Sequence, residues 1–151
     1  MFYSENLKKL PKIKHCFFSR KNGFSLGIYK SLNCGEGSQD KSGHILKNLD
    51  YVAKKLNIES ENLMLMNQIH SNKVIHINEK NIKFKKFDSD ALVTNMKGLA
   101  LGVLTADCVP ILLYDNSNHI IGAIHAGWKG CVSGVIENTL NKFNDIGKNN
   151  N

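Results

Sequence analysis

The sequence predicts an α+β fold, a mixed central sheet with flanking helices, and three observations carry that reading. Helical spacing of apolar residues occurs in two separated stretches, one from Ser42 and one after Gly130. Between them lies a run of short apolar segments divided by Gly, Asn or Pro, the pattern of strands. From residue 99 to 125 these segments are almost continuously apolar, as expected of a sheet covered on both faces. One helix, then strands, then one helix argues against a strict βαβ alternation.

In chain order, HCFFS (15–19) reads as a first strand, followed by a Gly- and Asn-bearing loop through residue 40. GHILKNLDYVAKKLN places Ile45, Leu49, Val52, Ala53 and Leu56 on one helical stripe, with the lysines mainly outside it. LMLMNQIH and KVIHI read as strands joined at Ser71–Asn72. DALVT, LALGVLTADC, VPILLYD and HIIGAIHAG follow as further strands. VSGVIENTLNKF then carries a helical stripe of Val132, Val135, Ile136, Leu140 and Phe143, and the polar GKNNN end is expected to fray.

Length suits one domain over residues 1–151, with neither an internal repeat nor a linker long enough to divide it. No apolar run reaches the ~18–20 residues of a membrane span. The first residues lack the apolar core and cleavage site of a signal peptide, so a cytoplasmic chain is expected. Charge is uneven: residues 1–87 hold 16 Lys and Arg against 7 Asp and Glu, and residues 88–151 hold 4 against 6. KFKKF (83–87) is the densest basic run. No nucleic-acid motif accompanies it, which favours a solvated connector over a polymer-binding strip; anionic small substrates still fit the charge. The four cysteines (Cys16, Cys34, Cys108, Cys131) form no C-x-x-C pair, so each is a buried small hydrophobe, a ligand or a nucleophile.

The stretch TADCVPILLYDNSNHIIGAIHAGW (105–128) carries the chemistry. Asp115–Asn118 is a turn by composition, and an antiparallel hairpin about it pairs Tyr114 with His119, Leu112 with Ile121 and Cys108 with His125. Directly opposed residues have Cβ atoms ~4.5–5.5 Å apart, close enough for a thiolate and an imidazole to share a proton or a metal ion. A Cys–His nucleophilic dyad is one outcome; an open zinc site completed by a third ligand is another. His70, beside a tight turn and next to Asn67 and Gln68, is the best-exposed third histidine. On spacing alone, a two-His, one-Cys site and a satisfied core pair stand as alternatives.

NQIHSNKV, DALVTN, LTADCVPILLYD and IHAGWKG, in this order and separation, resemble the laccase-domain proteins, also called the multicopper polyphenol oxidase or YfiH family and regarded as purine nucleoside phosphorylases. FFSRKNGFSLGIYKSLNCG resembles the family's amino-terminal segment, and the resemblance spans roughly residues 15–143. It implies a YfiH-like α+β layered fold, related to cysteine-hydrolase toxin deamidases. It also implies a metal triad on His70, Cys108 and His125. The implied activity is zinc-dependent phosphorolysis of adenosine, inosine, guanosine and methylthioadenosine, with adenosine deamination. Inorganic phosphate is the implied co-substrate, and copper is an alternative occupant of the metal site. Departures are Lys129 where arginine is usual, KNG at 21–23, Leu49 at a position where arginine is common, and no counterpart of the family's carboxy-terminal portion.

Within that resemblance, Arg20 can clamp an oxyanion with its planar fork, and Lys129 supplies a point charge beside His125. Asn33 and Gln68 can orient substrate through their amides, while simple loop hydrogen bonding explains them equally. Asp107 is expected on the strand face opposite Cys108, binding backbone groups. Trp128 is either core or base-stacking, and the helix after Gly130 offers an anion seat. Cys16, Cys34 and Cys131 are assigned to packing. The expected partners are small-molecule purine nucleosides and phosphate, with no nucleic acid and no membrane. Two other functions fit the same residues: a metal-free Cys–His hydrolase or deamidase, and an inactive truncated remnant.

Overall fold

The computed structural model describes residues 1–84 and 86–148. It is a mixed α+β structure that divides into two compact units, Met1–Asn62 and a second from Leu63 onward. Among the described residues no helix is long and apolar enough to cross a membrane.

In the first unit a short helix α1 (Glu5–Lys8) is capped by Ser4, whose hydroxyl accepts from the Leu7 N–H. The strand expected at 15–19 reduces to one antiparallel bridge between Phe2 and Phe17. HCFFS is apolar enough for a strand but has only one residue of partner. Helix α2 (Ser42–Leu56) matches the expected stretch and ends at Asn57, whose left-handed φ of 62° lets its N–H reach Ala53 and Lys54 carbonyls. Its buried residues are Ile45, Asn48 and Ala53, so a polar residue sits in the middle of the apolar stripe.

Asn48 earns that place by its hydrogen bonds. Its Oδ1 accepts from the Phe24 N–H (2.7 Å), and its Nδ2 donates to Ser25 Oγ (2.8 Å), Asn33 O (2.7 Å) and Ser31 O (3.3 Å). One fully buried side chain thereby ties the 24–33 loop to α2. These bonds give the Phe24 N–H and the Asn33 carbonyl partners within the fold.

In the second unit β1 (Leu63–Met64) pairs in parallel with β4 (Ala100–Leu101). A four-stranded sheet has the order β2 (Val74–His76), β3 (Ala91–Thr94), β6 (Ile120–Ala126), β5 (Val109–Asp115). The β2–β3 pair is parallel and the other two are antiparallel. LMLMNQIH and KVIHI therefore do not pair with one another. Period-2 alternation sorts the side chains: Ala91, Val93, Ile120, Ile124 and Ala126 pack with Val135, Phe143 and Ile146, while Leu92 packs with Met64 and Ile77. The central strands are buried on both faces, whereas edge strand β5 is mostly half-buried. Phe87 joins the Leu92 cluster and Phe84 is exposed; Lys85, in the basic run, lies outside the described residues.

The final helical stretch is two helices, α3 (Trp128–Val132) and α4 (Val135–Lys148), divided at Gly134, whose φ of +91° stops the first. The buried face of α4 is Val135, Thr139, Phe143 and Ile146, while Val132 on α3 and Leu140 on α4, both expected on the stripe, are exposed. The helix starts at Trp128, not after Gly130, so no helix N-terminus lies directly after Gly130, where an anion seat was expected. Of the expected frayed end, Gly147 and Lys148 are helical and residues 149–151 lie outside the described residues.

Candidate metal centre

The 105–128 hairpin forms, but two residues out of the expected register. Asp115 pairs with Ile120, Tyr114 with Ile121 and Leu112 with Ala123, so Pro110 stands opposite His125. The cause is the turn. Asp115 Oδ1 accepts from the Ser117 (2.8 Å) and Asn118 (3.1 Å) N–H groups, and Oδ2 accepts from Asn118 Nδ2 (2.7 Å). His119 then takes a left-handed φ of 54°, which removes it from the ladder. A two-residue shift preserves the face on which each side chain lies. Cys108, just ahead of β5, consequently still lies on the His125 side, diagonal to it rather than opposite.

The third member arrives from the turn after Gln68. His70 has φ 57°, an uncommon conformation for a residue with a β-carbon. Its ring meets that of His125 edge to face, centroids 4.9 Å apart. One ligand atom from each of His70, Cys108 and His125 lies within 4.8 Å of the others. His70 is exposed, Cys108 half-buried and His125 buried, so the cluster opens toward solvent on the His70 side.

Asp90 holds this arrangement, and the sequence reading missed it. Its Oδ1 lies 2.8 Å from His125 Nδ1 and accepts from the His70 N–H at 3.0 Å. Its Oδ2 accepts from Ser71 N (2.6 Å), Ser71 Oγ (2.8 Å) and Ile69 N (3.3 Å). The carboxylate is fully buried. Burial pushes its carboxyl up, but the hydrogen bonds from His125, the Ser71 backbone and hydroxyl, and the His70 N–H outweigh that and hold it below the ordinary range. A cross-strand register places it: Ala91 pairs with Ile124, and one step further the His125 N–H donates to the Asp90 carbonyl. The signal in the sequence was an acid directly before a wholly buried strand.

Gly127 makes the space. A β-carbon there would lie 2.9 Å from His70 Cδ2, 3.3 Å from Cys108 Sγ and 3.5 Å from His125 Cε1, so the three side chains converge on the volume that glycine leaves open. Gly130 serves the same turn from behind, where a β-carbon would meet the Ser71 carbonyl at 2.8 Å.

The donor set fits a metal such as zinc, which takes imidazole and thiolate together and keeps a position open at catalytic sites. With Zn–N ~2.0–2.1 Å and Zn–S ~2.3 Å, tetrahedral ligand atoms stand roughly 3.3–3.6 Å apart. A set within 4.8 Å needs about 1 Å of closure, shared among three side chains of which one is exposed. Because His125 Nδ1 faces Asp90, Nε2 is the nitrogen left for the metal.

The remaining sequence candidates fall as follows. Gln68 donates to the Leu104 carbonyl (2.7 Å) and accepts from its N–H (2.8 Å), tying the His70 turn to the segment before Cys108. One amide N–H and one carbonyl lone pair remain for other partners. Lys129 is exposed with Nζ 5.6 Å from the ring of Trp128, itself exposed rather than core. Asp107 is exposed with Oδ1 3.9 Å from Cys108 Sγ, on the thiol's side rather than the opposite face. In the first unit, Arg20 Nε and Nη2 both donate to the Lys30 carbonyl. Asn33 bonds Ser38 Oγ, Asp40 Oδ2 and the Gly35 N–H. Cys34 is buried, consistent with packing, and burial pushes its thiol up to about 11. Cys16 is half-buried, with its thiol also raised by burial. Cys131, assigned to packing, is instead exposed on α3, whose buried residue is Gly130.

A mixed α+β layer with a His-Cys-His cluster at one end of its sheet defines a class of protein with a candidate mononuclear metal centre. The chain belongs to the multi-copper polyphenol oxidoreductase laccase family, whose model matches residues 14–151. Among curated relatives, a purine nucleoside phosphorylase of Corynebacterium glutamicum is 36% identical over 136 residues, 89% of this chain and 55% of that protein. The YfiH purine nucleoside phosphorylase of Shigella flexneri is 33% identical over 141 residues, 93% of this chain and 57% of the relative. Among solved structures, a Neisseria meningitidis protein superposes with TM-score 0.73 at 33% identity, covering 82% of this chain and 49% of its own. Bacillus licheniformis YfiH gives TM-score 0.71 at 28% identity, covering 77% and 46%. The chain thus spans about half the length of the relatives it matches.

Proposed function

We propose that this chain carries the metal-holding part of a zinc-dependent purine nucleoside phosphorylase that also deaminates adenosine. The observation that carries the reading is the convergence of His70, Cys108 and His125 in a family whose curated relatives are named purine nucleoside phosphorylases. The substrates are adenosine, inosine, guanosine and methylthioadenosine, with inorganic phosphate as co-substrate. The four thiols are free, which suits the cytoplasm. Copper is the alternative occupant of the same donors.

In phosphorolysis a phosphate oxygen bonds to ribose C1′ as the C1′–N bond breaks, and the departing purine takes the electron pair and then a proton. Zinc held by His70, Cys108 and His125 would supply Lewis acidity and would lower the pKa of water toward neutrality. His125, held by Asp90, and His70 fix the donors; Cys108 contributes the thiolate. Lys129 brings positive charge beside the triad for the anionic co-substrate, and the exposed Trp128 ring offers a stacking face for the base. Gln68, which ties the His70 turn to the segment before Cys108, recognises substrate beside the triad.

The test is base release from inosine by the zinc-loaded protein. Release that requires phosphate and yields ribose 1-phosphate supports the reading; a folded, zinc-loaded protein that releases none contradicts it and leaves the inactive remnant. The Asp90–His125 bond also favours a second reading, a metal-free Cys108–His125–Asp90 hydrolase. Fast alkylation of Cys108, unaffected by added zinc, would support that reading, whereas zinc protection supports the metal centre.

A further inference from the structure

Resting on the metal reading above, we infer that Asp90 is the positioning residue of the centre, fixing both histidine ligands through one carboxylate oxygen. Oδ1 lies 2.8 Å from His125 Nδ1, for which a carboxylate can only be the acceptor, and accepts from the His70 backbone N–H as well. The first bond selects the tautomer of His125, leaving the Nε2 lone pair for the metal. The second, with the Ser71 and Ile69 N–H groups on Oδ2, supports the turn in which His70 adopts its left-handed φ of 57°. That conformation is unfavourable for a non-glycine residue, and a buried carboxylate receiving four charge-assisted bonds from the turn offsets it. One side chain thus couples a strand-borne ligand to a loop-borne one.

The experiment uses Asp90→Asn. Both carboxylate oxygens face N–H donors, so either orientation of the amide sets its NH2 against one of them. Zinc affinity, measured by chelator competition, is expected to fall about 10–100-fold. The cobalt-substituted variant should keep its thiolate charge-transfer band from Cys108 while its ligand-field bands move. A folded variant that binds zinc within about threefold of wild type would overturn the inference, taking 10–100-fold as the second-shell expectation. Nitrogen NMR of metal-free wild type decides independently if the variant does not fold: Nδ1–H at His125 is expected, and a neutral ring protonated at Nε2 alone overturns the inference. Wild type that is Nδ1-protonated yet takes up no zinc would instead contradict the metal reading and leave the orienting bond standing.

Discussion

Gly127→Ala tests the triad by crowding it without straining the backbone. Gly127 has φ −74° and ψ 158°, a conformation open to alanine. Elsewhere such a change stabilises by about 0.4–1 kcal/mol, by restricting the unfolded chain. Here the new methyl group would lie 2.9 Å from His70 Cδ2, against about 3.5–4.0 Å for carbon contacts at rest. His70 must therefore retreat by at least about 0.6 Å, away from Cys108 and His125. Being exposed, it can do so without repacking the core, so fold stability should change by no more than about 1 kcal/mol. The triad, by contrast, needs closure and receives displacement. Zinc affinity should drop at least about tenfold, comparable with loss of a ligand-orienting partner. Thermal denaturation of the metal-free protein and chelator competition read the two effects separately. Unchanged zinc affinity with an unchanged melting temperature would refute the claim that the three side chains converge on the volume beside Gly127.

Three further predictions follow from the packing. Asn48→Leu should destabilise by about 2–4 kcal/mol in urea unfolding, because the Phe24 N–H and Asn33 carbonyl lose their buried partners. Gly122→Ala should cost about 1–3 kcal/mol by the same assay, since its methyl group would stand 2.8 Å from the Phe143 ring. In thiol labelling near pH 8, Cys131 should react first and Cys34 last: with its pKa near 11, about one Cys34 in a thousand is thiolate there. Raising the pH should speed Cys34 labelling about tenfold per unit until its pKa is reached, and early reaction at neutral pH would refute its burial.

The site was more legible in the sequence than the detail of the fold around it. Alternation carried Cys108 and His125 to one sheet face even though the assumed register was two residues off, because such a slip preserves the face. The slip itself depended on the Asp115 side chain closing a four-residue turn, which composition does not reveal. Asp90 escaped notice because its role requires knowing that DALVT pairs with IIGAIHA, a contact 35 residues apart. Asn48 was hidden for the opposite reason: it lies on the helix stripe, where periodicity looks for apolar residues. The split between α3 and α4 falls at one glycine at positive φ, and Val132, Leu140 and Cys131 are exposed.

The central claim is that His70, Cys108 and His125 together bind one metal ion. Metal content of the purified protein, beside Cys108→Ser prepared identically, tests it most directly. About one zinc per chain is expected in the first and less than about a tenth in the second, as a thiolate ligand is lost from a three-ligand site. A folded wild-type protein that holds no metal after zinc exposure, or a serine variant that holds as much, would contradict it.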